Sequence, residues 1–311
     1  MSSFPAYRPR LRPAFFLPQQ WPLWLALGVL RLGIYLPRTL WSGFGAGLGA
    51  LYYGLNRKRR RIARTNIDLC FPELTQAARR QLLRAHFRVA VQSALDLGWL
   101  WWGSERRLAR FVRIDGLEHY RAAVAAGRRV ILLTCHSVAL EMGSVISRHY
   151  PQVALFKHTR NPIINWLIAR GRMRFNAQLY TRAQGMRPVL RAVQHGASFY
   201  YLPDEDLGLD NAVFAPFFGA PAATLTTVGR LARLCDAAVL PFFVRRRPDG
   251  SGYDVEIKAA LADFPSDDTA RDAATINLAL ERGIRAAPAQ YMWTFKRFKT
   301  RPPGMPSLYD G

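Results

Sequence analysis

Four short apolar runs constrain this chain more than any other feature: VILLT (130–134), QVALF (152–156), SFYYL (198–202) and AAVLPFFVR (237–245). Each is rich in β-branched or aromatic residues, almost free of charge and bounded by turn residues, the pattern of a strand buried on both faces. Between them lie NPIINWLIARGRMR (161–174), MRPVLRAVQHG (186–196) and TLTTVGRLARLC (224–235), which have helical spacing and enough length for crossovers. Buried strands joined by helices pair in parallel. The prediction is an α/β fold, a central mostly parallel sheet flanked by helices, with a further helix over 75–102. The turn cluster RRPDGSG (246–252) leads into YDVEIKA (253–259), which predicts an antiparallel hairpin at one edge of the sheet.

The N-terminal part is different. The first 64 residues carry eleven Lys or Arg and no carboxylate, the first being Asp68. WPLWLALGVL (21–30) and TLWSGFGAGLGALYYGLN (39–56) are uncharged, with only Arg31 and Arg38 in the interval. A transmembrane helix needs about 20 apolar residues, so 39–56 is long enough just to cross, or 21–56 forms a re-entrant or interfacial hairpin. Either way residues 1–56 read as a membrane-anchoring segment and 57–311 as a catalytic domain. The Pro-rich start, the arginines within the apolar stretch and the lack of a small-residue cleavage site argue against a removable signal peptide. RKRRRIAR (57–64) follows at once, six basic residues in eight, placed to meet anionic headgroups on the cytoplasmic side or to form a solvated helix face.

Over the whole chain 44 Lys and Arg face 21 Asp and Glu, a net charge of +23, which calls for an anionic partner: a membrane, an acidic protein with a phosphorylated substrate, or nucleic acid. The aromatic, basic tail YMWTFKRFKTR (291–301) is the feature that keeps nucleic acid in view, although that reading leaves the apolar N-terminus without a purpose. Cys70, Cys135 and Cys235 are odd in number, far apart and form no CxxC pair, which argues against a disulfide framework or a thiolate metal site. The series Gly43, Gly45, Gly47, Gly49 follows no strand and lacks the Lys-Ser/Thr of a phosphate loop, so small-residue packing in a membrane helix accounts for it better.

Chemistry concentrates in VILLTCHSVALEMG (130–143), where a buried strand runs out into His136 and a helix is expected to begin near Ser137. Ligands of open α/β sheets sit at the carboxyl ends of the strands. On one helix His136 and Glu141 would lie about 140° apart. With His136 outside the helix, Glu141 in the first turn is placed to accept the Nδ1 hydrogen and fix the tautomer, a pair suited to general-base attack by a hydroxyl. A buried structural histidine is the alternative for His136. Cys135 points to the opposite strand face and reads as core. His86, His119, His149, His158 and His195 have no partner at a meaningful spacing.

His136-Ser-Val-Ala-Leu-Glu141 resembles the H-x4-(D/E) motif of the glycerolipid acyltransferases. YLPDEDLGLDNAVFAPFFGAPAAT (201–224) is similar to the PDxD block of the late lipid A acyltransferases, and APAQYMWTFKRFKTRPPGMPSLY (287–309) to their closing stretch. Three blocks in family order, with the apolar basic N-terminus, make the resemblance specific and extend it over most of the chain. It implies a bacterial inner-membrane enzyme, with its catalytic domain on the cytoplasmic face, that moves a fatty acyl group from acyl-carrier protein to a hydroxyl of a lipid A precursor. His136 and Glu141 match the family's catalytic pair, and Asp204 and Asp206 the PDxD aspartates, which either position substrate or cap the next helix. Arg172 and Arg174 lie where the family carries basic substrate contacts, unless they are ordinary solvated arginines. No metal or other cofactor is expected, because direct thioester transfer needs none and no His/Asp cluster has ligand spacing. An acyltransferase acting on glycerol phosphate or another glycolipid is the nearest alternative.

Overall fold

In β2 (residues 129–133) successive side chains go to opposite layers, Ile131 and Leu133 into one core and Val130 and Leu132 into another. Period-two alternation with both faces apolar forces a sheet covered on both sides, and that is the architecture of the computed structural model, which describes residues 6–309. The first five residues of the acid-free segment and the last two of the chain lie outside the described residues.

In chain order the elements are α1 (Trp21–Gly33), α2 (Arg38–Leu55), α3 (Arg57–Cys70), α4 (Gln76–Trp102), α5 (Glu105–Phe111), β1 (Val112–Asp115), α6 (Leu117–Ala125), β2 (Arg129–Leu133), β3 (Gln152–Phe156), α7 (Pro162–Met173), β4 (Ala177–Thr181), α8 (Arg187–Gln194), β5 (Ser198–Tyr201), β6 (Ala212–Phe217), β7 (Ala220–Leu225), α9 (Thr227–Cys235), β8 (Ala237–Arg246), β9 (Tyr253–Ile257) and α10 (Thr269–Ala286). A 3-10 helix spans Leu140–Arg148. Seven of the strands form one sheet in the order β1-β9-β8-β2-β5-β3-β4, and β6 pairs with β7 in a separate hairpin. Every neighbouring pair of the large sheet is parallel except β8 with β9.

The expected α/β class and all four apolar strands are present. The antiparallel hairpin is not at the sheet edge, because β1 pairs with the far side of β9. β1 is only four residues long and half polar, and a strand buried on one side carries no continuous apolar signal. β4 and the β6–β7 hairpin are likewise absent from the apolar pattern.

Helix starts follow local chemistry. The Thr75 hydroxyl accepts the Ala78 N–H to open α4, and the Asn161 side chain accepts the Ile163 and Ile164 N–H groups to open α7 at Pro162.

The first two helices are packed on the rest of the fold. Trp41, Leu27 and Leu30 are buried, and Gly45 and Gly49 bring α2 against α4 so closely that a Cβ on Gly49 would stand 2.6 Å from Arg88 Cα. Below that contact the buried pair Arg246–Asp96 (3.0 Å) also receives the Tyr253 hydroxyl on Asp96 Oδ2 (2.9 Å). Arg38, at the start of α2, donates to the Gly250 carbonyl at 2.8 Å. Among the described residues no helix is long and apolar enough to cross a membrane. Residues 39–56 therefore do not provide the lone spanning helix that their composition allows: α2 has 18 residues, or about 27 Å of length.

Candidate active site

The polypeptide leaving β2 stays extended. Thr134 N–H donates to the Tyr201 carbonyl, Val138 N–H to the Gln290 carbonyl, and the His136 carbonyl accepts Met292 N–H, all at 2.9–3.0 Å. Ser137 bridges Tyr291 in antiparallel register. The expected helix N-terminus at Ser137 is thus replaced by strand pairing with the closing segment of the chain, and helical turns begin only at Leu140.

This delay decides the partner of His136. The His136 Nδ1 lies 2.8 Å from Asp204 Oδ1, and its backbone N–H donates to Asp204 Oδ2, also at 2.8 Å. Asp204 follows β5 and His136 follows β2, adjacent parallel strands, so both groups project at the carboxyl end of the sheet. The Asp204 side chain is fully buried, while that of His136 keeps 23% of its surface exposed, with the Phe295 ring edge-on at 5.0 Å between centroids. Glu141 does not take the Nδ1 hydrogen, contrary to the expectation from the H-x4-E spacing. The 3-10 turns aim it at α7, where its two oxygens accept from Arg172 Nε (2.8 Å) and Nη2 (2.6 Å). The site thus holds two separate pairs, His136 with Asp204 and Arg172 with Glu141.

Burial opposes the charged imidazolium, but the charge and hydrogen bond of Asp204, helped by Glu205, outweigh it and hold the His136 pKa above its ordinary value. Burial likewise opposes the Asp204 carboxylate, and the charge and bonds from His136 overcome it, so Asp204 is held below the usual range, with a further contribution from Arg297. With Nδ1–H committed to Asp204, Nε2 is the free base. The Cys135 thiol is buried and pushed well upward, first by desolvation and then by the Asp204 charge, which keeps it protonated and unreactive.

The remaining sequence candidates separate. Arg172 and Glu141 line an apolar cavity walled by Leu140, Leu155, Leu179, Tyr200 and Leu202. Arg174 caps α4 instead, donating to the carbonyls of Leu100 (2.7 Å) and Gly103 (2.5 Å). Asp206 ties down the closing segment, accepting from the Thr300 N–H (2.6 Å) and hydroxyl (2.7 Å). Two residues of the site escaped the sequence reading. Glu205 pairs with Arg182 and, at 3.4 Å, with Lys157. Arg297 is 2% exposed, donates to the Ala223 carbonyl at 2.7 Å and adds positive potential at Asp204. Both belong to blocks that the resemblance marked, but no spacing rule singles them out. Among the described residues no group of three or more His, Cys, Asp or Glu is arranged to hold a metal ion.

The model of the family described as bacterial lipid A biosynthesis acyltransferase matches residues 8–300. The chain belongs to that family. It is 36% identical to the lipid A biosynthesis lauroyltransferase of Escherichia coli over 97% of this chain and 99% of that protein. A lipid A biosynthesis acyltransferase of Haemophilus influenzae is 34% identical over 97% and 98%. The E. coli palmitoleoyltransferase and myristoyltransferase are 33% and 29% identical over 95% and 96% of the chain. An acyltransferase fits the geometry: an imidazole oriented by a buried carboxylate at the end of the sheet, and an apolar cavity lined by Glu141 and Arg172.

Proposed function

We propose that this acyltransferase transfers a fatty acyl group from a thioester on acyl-carrier protein to a hydroxyl of a lipid A precursor. The observation that carries the chemistry is the double hold of Asp204 on His136. His136 Nε2 removes the proton from the acceptor hydroxyl as its oxygen attacks the thioester carbonyl, and Asp204 stabilises the imidazolium. Collapse of the tetrahedral intermediate breaks the C–S bond, and the thiolate leaves with the proton returned by His136. No acyl-enzyme forms. Glu141 acts through Arg172: the bidentate contact fixes the guanidinium in the wall of the apolar cavity. Asp206 and Arg174 support the site by fixing the closing segment and the end of α4.

We place the enzyme on the cytoplasmic face of the bacterial inner membrane. Supporting this, most of the exposed large hydrophobic side chains among the described residues fall between Leu11 and Leu55. On α2, Leu40, Phe44, Leu48, Leu51 and Leu55 form an exposed stripe on a different face from Gly45 and Gly49, and on α1 Trp21, Leu25, Val29 and Leu32 do the same. A pair of helices packed on protein by one face and apolar on the other suits insertion into one leaflet.

Purified protein supplied with acyl-carrier-protein donors tests the reading. Transfer to a lipid A precursor in preference to glycerophospholipid acceptors is expected, and a preference for glycerol phosphate acceptors would overturn the acceptor assignment.

A further inference from the structure

We propose that the groove between α4 and the β8–β9 hairpin is the docking surface for the acidic face of the acyl-carrying protein, an inference that rests on the carrier-donor reading above. The groove is lined by Arg80, Arg84 and Arg88 of α4 and by Arg247 and Pro248 of the hairpin, with no Asp or Glu. The three α4 arginines are exposed and recur every four residues, so they form one row, with about 6 Å of rise between neighbours. Like charges at that spacing destabilise a helix. Adjacent arginines are neutralised from within, Arg79 by Asp68 and Arg247 by Asp254, whereas none of the row pairs with an acid among the described residues. The uncompensated charge calls for an external anion with the same period, and carboxylates every three to four residues on a helix supply it.

Shape favours a protein helix over a bilayer. The floor is made of small side chains, Ala85, Val89 and Ala289, between two walls, a concavity that a planar headgroup layer does not fill. The apolar stripe of α2 assigned to lipid is a separate surface. The groove also reaches the chemistry. Its lining includes Gln290, whose carbonyl accepts the Val138 N–H, and one strand repeat further, about 7 Å, the same ladder bonds Met292 to His136. A carrier seated there delivers its thioester arm beside the catalytic strand.

The full-length protein carrying Arg80→Glu, Arg84→Glu and Arg88→Glu tests this, with the neutral Arg80→Gln, Arg84→Gln, Arg88→Gln variant as a milder form. The same acyl group is offered on acyl-carrier protein and on pantetheine. KM for the carrier donor should rise by roughly tenfold or more in the charge-reversed variant and less in the neutral one, while kcat/KM with acyl-pantetheine stays within about twofold. Arg106→Glu with Arg110→Glu on α5 serves as a surface-charge control and should leave both donors unaffected. An unchanged KM for the carrier donor overturns the proposal, as does an equal loss with both donors. Loss confined to binding vesicles of anionic phospholipid would assign the row to lipid instead. If the unaltered protein uses acyl-pantetheine but not the carrier donor, the carrier-donor reading itself fails, a result distinct from failure of the docking surface.

Discussion

Asp204 holds His136 at two points, ring Nδ1 and backbone N–H, both at 2.8 Å, while Glu141 is closed on Arg172. The histidine and the glutamate of one motif therefore serve different pairs, and mutational coupling should follow the pairs.

His136→Ala should lower kcat by about 10²–10⁴-fold, and adding Asp204→Asn should cost little more, because the two act as a unit. Glu141→Gln and Arg172→Gln should couple to each other in a double-mutant cycle and combine nearly additively with Asp204→Asn. Cys135→Ser should retain most activity. Strong coupling of Glu141 with His136, comparable to that of Asp204, would contradict the arrangement of the two pairs.

The base must be neutral to act, so activity falls as pH drops through the His136 pKa. Because Asp204 holds that pKa above its ordinary value, near 6.5, the acid limb of kcat/KM should lie above this value. In Asp204→Asn desolvation acts without its main opponent, and the limb should move to lower pH. A limb that stays put in Asp204→Asn would show that another group controls it.

The glycines of α2 divide by face. Gly49→Ala puts a Cβ 2.6 Å from Arg88 Cα and 2.7 Å from the Phe87 carbonyl oxygen, and should destabilise by about 1–3 kcal/mol. Gly47→Ala meets nothing within 4 Å and should stabilise by roughly 0.5–1 kcal/mol. Thermal unfolding of the two variants in detergent measures the contrast, and equal Tm shifts would mean that α2 does not pack on α4 as described.

Replacing Leu25, Leu32, Phe44 and Leu51 with Ser should weaken co-sedimentation with phospholipid vesicles by more than tenfold, since each exposed side chain gains about 1.5–3 kcal/mol on entering an apolar phase. Transfer to detergent-dispersed acceptor should persist. Undiminished vesicle binding would place membrane contact elsewhere on the surface.

Much of the fold was legible along the chain. Strands buried on both faces carry continuous apolar runs, so β2, β3, β5 and β8 stand out locally, as do the helices that join them. β1 and β4 do not, because an edge strand needs only part of its surface apolar. In the same way His136 was visible at the end of its strand, and the PDED block marked a site element without saying which acid meets which base.

What the sequence by itself determined is the α/β class, the position of the base at a strand end, and an N-terminal part too apolar and too basic to be an ordinary surface. Only the tertiary structure decided that Asp204, 68 residues away, orients His136 while Glu141 turns to Arg172. The reason is that pairing with residues 290–292 keeps the chain extended past His136 and delays the helical turns to Leu140. That pairing joins segments more than 150 residues apart, and no local periodicity records it.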